Sequence, residues 1–288
     1  MKTRRDFLNQ LGCAAGAAAM SGLPGAAQPA GQRQNVLFIA IDDLNDWIGC
    51  LGGYPGAKTP NLDRLAARGL LFTNAHCSAP VCNPSRASIM TGIRPSTSGV
   101  YENRQPMRKS TALQDAVTLP QHFMAHGYRA AGSGKIYHGR YPDPQSWDEY
   151  FPSQKQNKPP DPVPDQVPAN GIPGTGNMDW GALENSDKDM GDWKVTDWVA
   201  GELNKKQDKP FFLACGIFKP HLPWHVPEKY FDMYPLDSIT LPNVKEDDLK
   251  DVPPIGKKLA LRSGDHKRVT EHKQWRQAVQ AYLASLTF

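Results

Sequence analysis

A chain of 288 residues is long enough to bury a sizeable core, in one large domain or two small ones. Its 39% hydrophobic and 22% charged residues are ordinary for a soluble globular protein. The formal net charge of +4 includes +2 from Lys2, Arg4 and Arg5 against Asp6; no basic stripe and no interleaved aromatic platform is present, so no nucleic-acid partner is expected.

Residues Met1 to about Ala30 read as an export signal. Thr3-Arg4-Arg5-Asp6-Phe7-Leu8 has the form of a twin-arginine motif, Gly12 to Met20 is a small-residue apolar core, and cleavage fits after Ala27 or Ala30. The apolar run is too short to span a bilayer. An exported protein is expected, periplasmic or extracellular, with the twin-arginine export machinery as a partner. Cys13 falls in this leader. A disulfide among Cys50, Cys77 and Cys215 stays open, and no Cys-x-x-Cys pair or zinc spacing occurs.

Asn35 to Ile41 is a continuous apolar run, the pattern of a strand buried on both faces of a mostly parallel sheet. It ends in Asp42-Asp43, at the strand edge where α/β proteins place ligands. Adjacent carboxylates often cap helices or face solvent; their repulsion is also relieved by a hard cation, Ca2+ or Mg2+. Thr59 to Gly69 predicts a helix with Thr59 as cap, Pro60 first and Leu62, Leu65 and Ala66 facing the core. Leu70 to Ala75 predicts a strand.

Cys82-Asn83-Pro84-Ser85-Arg86 opens a second helix that stops at Gly92. Free N–H groups and the macrodipole at such a start favour an anion and predict a lowered thiol pKa for Cys82. Arg86, one turn on, shares its face and can fork-bond an oxyanion. An isolated cysteine in apolar sequence is more often core filler; the five-residue pattern argues otherwise.

Leu119 to His126 predicts a short helix and Tyr128 to Ala131 a strand. Gly132 to Gly139 follows as a glycine-flanked loop that holds Lys135 and His138. Pro142 to Gly181 shows no periodicity and predicts an irregular, proline-rich excursion at the site's rim. Trp193 to Lys206 predicts a helix with Val195, Trp198, Val199 and Leu203 inward. Phe211 to Phe218 predicts a second buried strand, with Lys219, His221 and His225 just past its exit. Lys273 to Phe288 predicts an amphipathic helix.

Cys-x-Pro-Ser-Arg ahead of a Thr-Gly helix stop resembles the signature of the type I, formylglycine-dependent sulfatases. Asp42-Asp43-Leu44, Gly-Lys-x-x-His at Lys135 and His138, and Phe-Phe-Leu-Ala…Lys-Pro-His at His221 are most similar to the iduronate-2-sulfatase branch. The resemblance implies an alkaline-phosphatase-like α/β/α sandwich with a mostly parallel central sheet. It implies hydrolysis of a sulfate ester, on a sulfated sugar or polysaccharide, through a formylglycine made from Cys82 by a maturation enzyme. Cys82, Arg86, Lys135, His138 and His221 would be catalytic; Lys135, His221, Lys219 and His225 would bind substrate; Asp42, Asp43 and Cys82 would hold Ca2+, with Mg2+ the alternative. The family's later Asp-His or Asp-Asn metal pair has no counterpart here, so residues 31–288 resemble the N-terminal portion of such a catalytic domain. On that reading the Trp275–Leu286 face lacks its packing partners and a strand edge is left unpaired. Two alternatives remain open: a phosphonate or phosphate ester hydrolase of the same superfamily, and a silent fragment that only binds ligand.

Overall fold

The computed structural model describes residues 33–288 apart from 140, 246 and 261–263. The expected export signal therefore lies outside the described residues. The chain divides into Met1–Gln34 and Asn35–Phe288, and the second unit carries the fold.

Its centre is a four-stranded parallel sheet of β1 (Val36–Ile41), β2 (Arg129–Gly134), β3 (Glu149–Phe151) and β5 (Phe211–Ile217), in the order β1-β5-β2-β3. A two-stranded parallel sheet pairs β4 (Trp180–Leu183) with β6 (Trp224–Pro227). The described helices are α1 (Pro60–Ala66), α2 (Cys82–Thr91), α3 (Pro95–Ser98), α4 (Leu119–Ala125), α5 (Gly191–Asn204), α6 (Glu228–Asp232), α7 (Pro254–Leu259), α8 (Gly264–Glu271) and α9 (Trp275–Thr287). None is long and apolar enough to cross a membrane.

Register fixes the functional edge. Ile41 pairs with Ile217 and Gly134 with Gly216, so β1, β5 and β2 end level. The segments that begin at Asp42, Lys135 and Phe218 therefore leave the sheet side by side. The apolar run Phe211–Ile217 is the strand buried between two neighbours, and α5 packs Val195 and Val199 against it.

Several expectations are corrected. β1 is buried on one face only: Phe38 and Ala40 pack toward Phe212, while Leu37 and Ile39 are 43% and 48% exposed. The reason is position, since β1 is an edge strand and nothing among the described residues covers its second face. No residue of α1 is buried, and Leu65 is exposed. Leu70–Ala75 forms no strand, because no described strand offers its backbone a partner. Leu203 faces solvent. The excursion after Pro142 contains β3 and β4, runs too short to show a period of two. The apolar face of α9 is not left bare: Ala278, Val279, Ala281, Leu283 and Ala284 are buried against Tyr54, Trp180 and Val226 and their neighbours. Cys50, Cys77 and Cys215 are all free thiols, so none is bridged to another.

Candidate functional site

Three strand exits and one helix start converge on Asp42. α2 begins at Cys82 after an extended Val81, and ends at Gly92 in the left-handed region with φ 71. Pro84 lies two residues inside the helix instead of at its first position. The start of α2 is anchored by Asn83, whose Nδ2 donates to the carbonyls of Glu102 at 3.0 Å and Gln105 at 2.7 Å. Its N–H donates to Asn103 Oδ1 at 2.9 Å. Lys135 is set by two glycines. A Cβ on Gly134, which has φ +82, would stand 1.8 Å from the Gly216 oxygen; one on Gly216 would stand 2.3 Å from the Lys135 carbonyl carbon. Only bare backbones bring β2 and β5 this close.

Asp42 is 6% exposed and both of its oxygens are engaged. Arg86 Nη2 donates to Oδ1 at 2.6 Å, and Lys135 Nζ pairs with Oδ2. Arg86 Nη1 donates to the carbonyl of Ile136 at 3.1 Å and to that of Lys135. Burial by itself would raise the Asp42 carboxyl; the charges of Arg86 and Lys135 outweigh it and hold the group below the usual carboxylate range. Cys82 Sγ lies 3.9 Å from Asp42 Oδ2 and 3.7 Å from Lys135 Nζ. The expected lowered thiol pKa does not hold. Burial pushes the thiol up, and Asp42 and Asp43 facing it add to the rise against the opposing pull of Lys135. A sulfur beside two carboxylates is poorly placed to ionise, whatever the helix start offers.

His221 closes the cluster. Its Nε2 stands 3.8 Å from Asp42 Oδ2 and 3.8 Å from Asp43 Oδ2. Its Nδ1 meets the Leu222 carbonyl at 2.5 Å, which puts the proton of a neutral ring on Nδ1 and leaves Nε2 an acceptor. Ligand atoms of Asp42, Cys82 and His221 lie within 4.8 Å of one another. The carboxylate oxygens of Asp42 and Asp43 that face this point are the donors that a hard divalent cation accepts. The residues thus fit part of a Ca2+ or Mg2+ site, with Asp42, Asp43 and position 82 as its holders. Asp43 adopts φ 56, a left-handed conformation that aspartate tolerates better than most residues.

The remaining candidates make other contacts. His138 is outside that cluster, with its ring 6.1 Å from Tyr141. Lys219 is buried and its Nζ donates to the Pro223 carbonyl at 2.5 Å. Burial lowers its pKa to about 8 despite Asp161 and Asp192. His225 Nε2 meets Asp179 Oδ2 at 3.0 Å in a buried pair, and burial lowers the imidazole against the pull of that carboxylate. Two supporting residues carry no sequence signal. Asn83 is one. The other is Asp192, near the start of α5, which accepts from the N–H groups of Phe218 at 3.0 Å and Lys219 at 2.8 Å and so holds the root of the His221 loop. Asn83 fills the unspecified position of the Cys82–Arg86 motif and Asp192 lies in none; only the fold brings them to those carbonyls and amides.

The family model and the curated relatives point to one family. A model of the Sulfatase family matches residues 34–288. A protein named "Sulfatase" from Formosa agariphila is 40% identical over 278 residues, covering 89% of this chain and 53% of its own length. The human "Iduronate 2-sulfatase" is 34% identical over 220 residues, covering 72% of this chain and 38% of its own length. The chain thus spans about half the length, or less, of these relatives. Among solved structures, the phosphonate monoester hydrolase of Agrobacterium radiobacter superposes with a TM-score of 0.60 at 20% identity, over 88% of this chain and 57% of the other. That likeness supports the α/β architecture inferred from the strand order.

Proposed function

This chain belongs to the sulfatase family, and from that premise we propose that it hydrolyses an organic sulfate ester carried on a sugar, R–O–SO3⁻ and water giving R–OH and hydrogen sulfate. The observation that carries the reading is the buried Asp42 gripped by Arg86 and Lys135 within 3.9 Å of the Cys82 sulfur. The raised thiol pKa of Cys82 supports its use as a precursor and not as a thiolate. Converted to formylglycine by a maturation enzyme, position 82 supplies a hydrated aldehyde as the oxygen nucleophile. Asp42 and Asp43 would hold a Ca2+, which would supply positive charge for the sulfate oxygens and for the nucleophile. Lys135 faces that point and neutralises the sulfate, and His221 donates to it once its Nε2 also carries a proton. Arg86 fixes Asp42 and the Lys135–Ile136 backbone. The human relative's name, iduronate 2-sulfatase, supports a sulfated sugar as substrate. The signal read over Met1–Ala30 supports export through the twin-arginine machinery, tested by deleting it and following the protein to the cytoplasm.

The test has two parts. Coexpression with a maturation enzyme, followed by mass spectrometry of the Cys82 peptide, should show a loss of about 18 Da, distinct from the gains that mark thiol oxidation. The converted protein should then hydrolyse 4-nitrophenyl sulfate in preference to 4-nitrophenyl phosphate and its phosphonate counterpart. Equal turnover by the unconverted thiol defeats the formylglycine mechanism. The fold likeness to a phosphonate monoester hydrolase keeps one rival in view, and preferential phosphonate turnover would establish it.

A further inference from the structure

Beside the cluster lies an aromatic cleft that none of the steps above uses. It has a volume of about 220 Å3 and is lined by Asn45, Trp47, Trp224, His266, Trp275 and Tyr282, with aliphatic side chains behind them. It shares its walls with the site. Tyr282 Oη donates to the Asp43 carbonyl at 3.1 Å. Trp224 ends the loop that carries His221, and its Nε1 donates to the Pro220 carbonyl at 2.6 Å. The Tyr282 ring stands edge to face between two indoles, 5.4 Å from Trp47 and 5.6 Å from Trp224, while His266 stands 5.0 Å from Trp275. Asn45 and His266 are exposed at the mouth, and the three indoles and Tyr282 are half-buried.

This combination is unlike a closed core. A core buries its rings, whereas here four large aromatics remain partly accessible around one small cleft. The volume is below that of clefts that enclose drug-sized ligands, which restricts the occupant to a single ring. The walls carry no carboxylate and no lysine or arginine, so they offer an anion no fixed countercharge. They do suit a ring whose C–H groups, slightly positive, meet the negative faces of aromatic rings and whose hydroxyls meet polar tips at the rim. A pyranose is such a ring. Resting on the proposal that the substrate is a sulfated sugar, we infer that this cleft is the subsite for the uncharged sugar ring next to the sulfated one. It would hold that ring while Lys135 and His221 take the sulfate, and it explains why the loop bearing His221 ends in a tryptophan.

The test separates this inference from the sulfatase reading. The probes are 4-nitrophenyl sulfate, a uronic acid–N-acetylglucosamine disaccharide sulfated on the uronic acid so that the neighbouring ring is uncharged, and the same disaccharide chemically desulfated. Wild-type protein should bind the desulfated disaccharide, seen as saturation transfer from the protein to the sugar C–H protons and a change in tryptophan emission. Trp47→Leu should weaken that binding at least tenfold and raise KM for the sulfated disaccharide at least tenfold more than KM for 4-nitrophenyl sulfate. His266→Ala, an exposed position at the mouth, provides the same comparison if Trp47→Leu fails to fold. Turnover of 4-nitrophenyl sulfate without disaccharide binding, or equal KM changes for both substrates, overturns the subsite and leaves the sulfatase reading intact. Disaccharide binding lost in Trp47→Leu, without hydrolysis of any sulfate ester, upholds the subsite and removes the sulfatase reading.

Discussion

Replacing Arg86 by lysine keeps the charge and removes the fork. Arg86 is 6% exposed and serves three acceptors: Asp42 Oδ1 at 2.6 Å, the Ile136 carbonyl at 3.1 Å and the Lys135 carbonyl. An ammonium on a shorter stem cannot span carboxylate and carbonyls together. If it follows the carboxylate, two buried carbonyls lose their donor, at about 1–3 kcal/mol each, or about 2–6 kcal/mol in total. If it follows the carbonyls, Asp42 loses the neighbouring charge that most strongly counters its burial, and its pKa rises. Because the folded Asp42 is depressed, its stabilising effect exists above the unfolded carboxylate pKa and fades as pH falls through the folded value. Arg86→Lys should therefore lower the urea midpoint at pH 7 by that amount with an unchanged slope, and shift acid unfolding to higher pH. Turnover of an aryl sulfate by the converted enzyme should fall more than tenfold, a loss of over ~1.4 kcal/mol in transition-state stabilisation. A variant within about 0.5 kcal/mol in stability, at the noise of surface substitutions, and within twofold in rate would refute the role assigned to the fork.

Gly216→Ala puts a methyl 2.3–2.5 Å from the Lys135 backbone; it should cost about 1–3 kcal/mol in urea unfolding and cut turnover about 100-fold as Lys135 is displaced, and unchanged kinetics would show that Lys135 acts without that register. Lys219, held at about 8 against an ordinary 10.5, binds its proton more weakly folded than unfolded, so wild-type stability should gain about 3 kcal/mol from this group between pH 8 and 10.5. Lys219→Met should lack that gain, and parallel pH profiles of the two urea midpoints would contradict it. Asp192→Ala strips the acceptor from two amides at the root of the His221 loop; a loss of about 2–5 kcal/mol is expected by urea unfolding, and a change under 0.5 kcal/mol would refute the anchoring.

The sequence by itself determined the pieces whose physics is local. The apolar run Phe211–Ile217 is a strand whatever surrounds it, and Gly92 stops α2 because only its backbone takes φ 71 without strain. Punctuation placed Asp42, Lys135 and His221 at strand exits and Cys82 at a helix start, with Arg86 one turn on, while the roles expected of them came from the resemblance of the motifs to the sulfatase family. What pairs with what was decided by tertiary structure. Leu37 and Ile39 have the composition of buried strand residues, and they are exposed because no described element packs over that face of β1. The thiol of Cys82 rises instead of falling because the fold buries it and turns two carboxylates from the end of β1 toward it, which no local rule about helix starts can contain. Lys219 and His225 share the motif neighbourhood of His221, yet register and the β4–β6 pairing turn them to Pro223 and Asp179. Asn83 and Asp192 matter through backbone amides and carbonyls about 20 and 27 residues away in sequence. Hydrogen-bond partners at that distance are set by the closed fold and not by the chain's order.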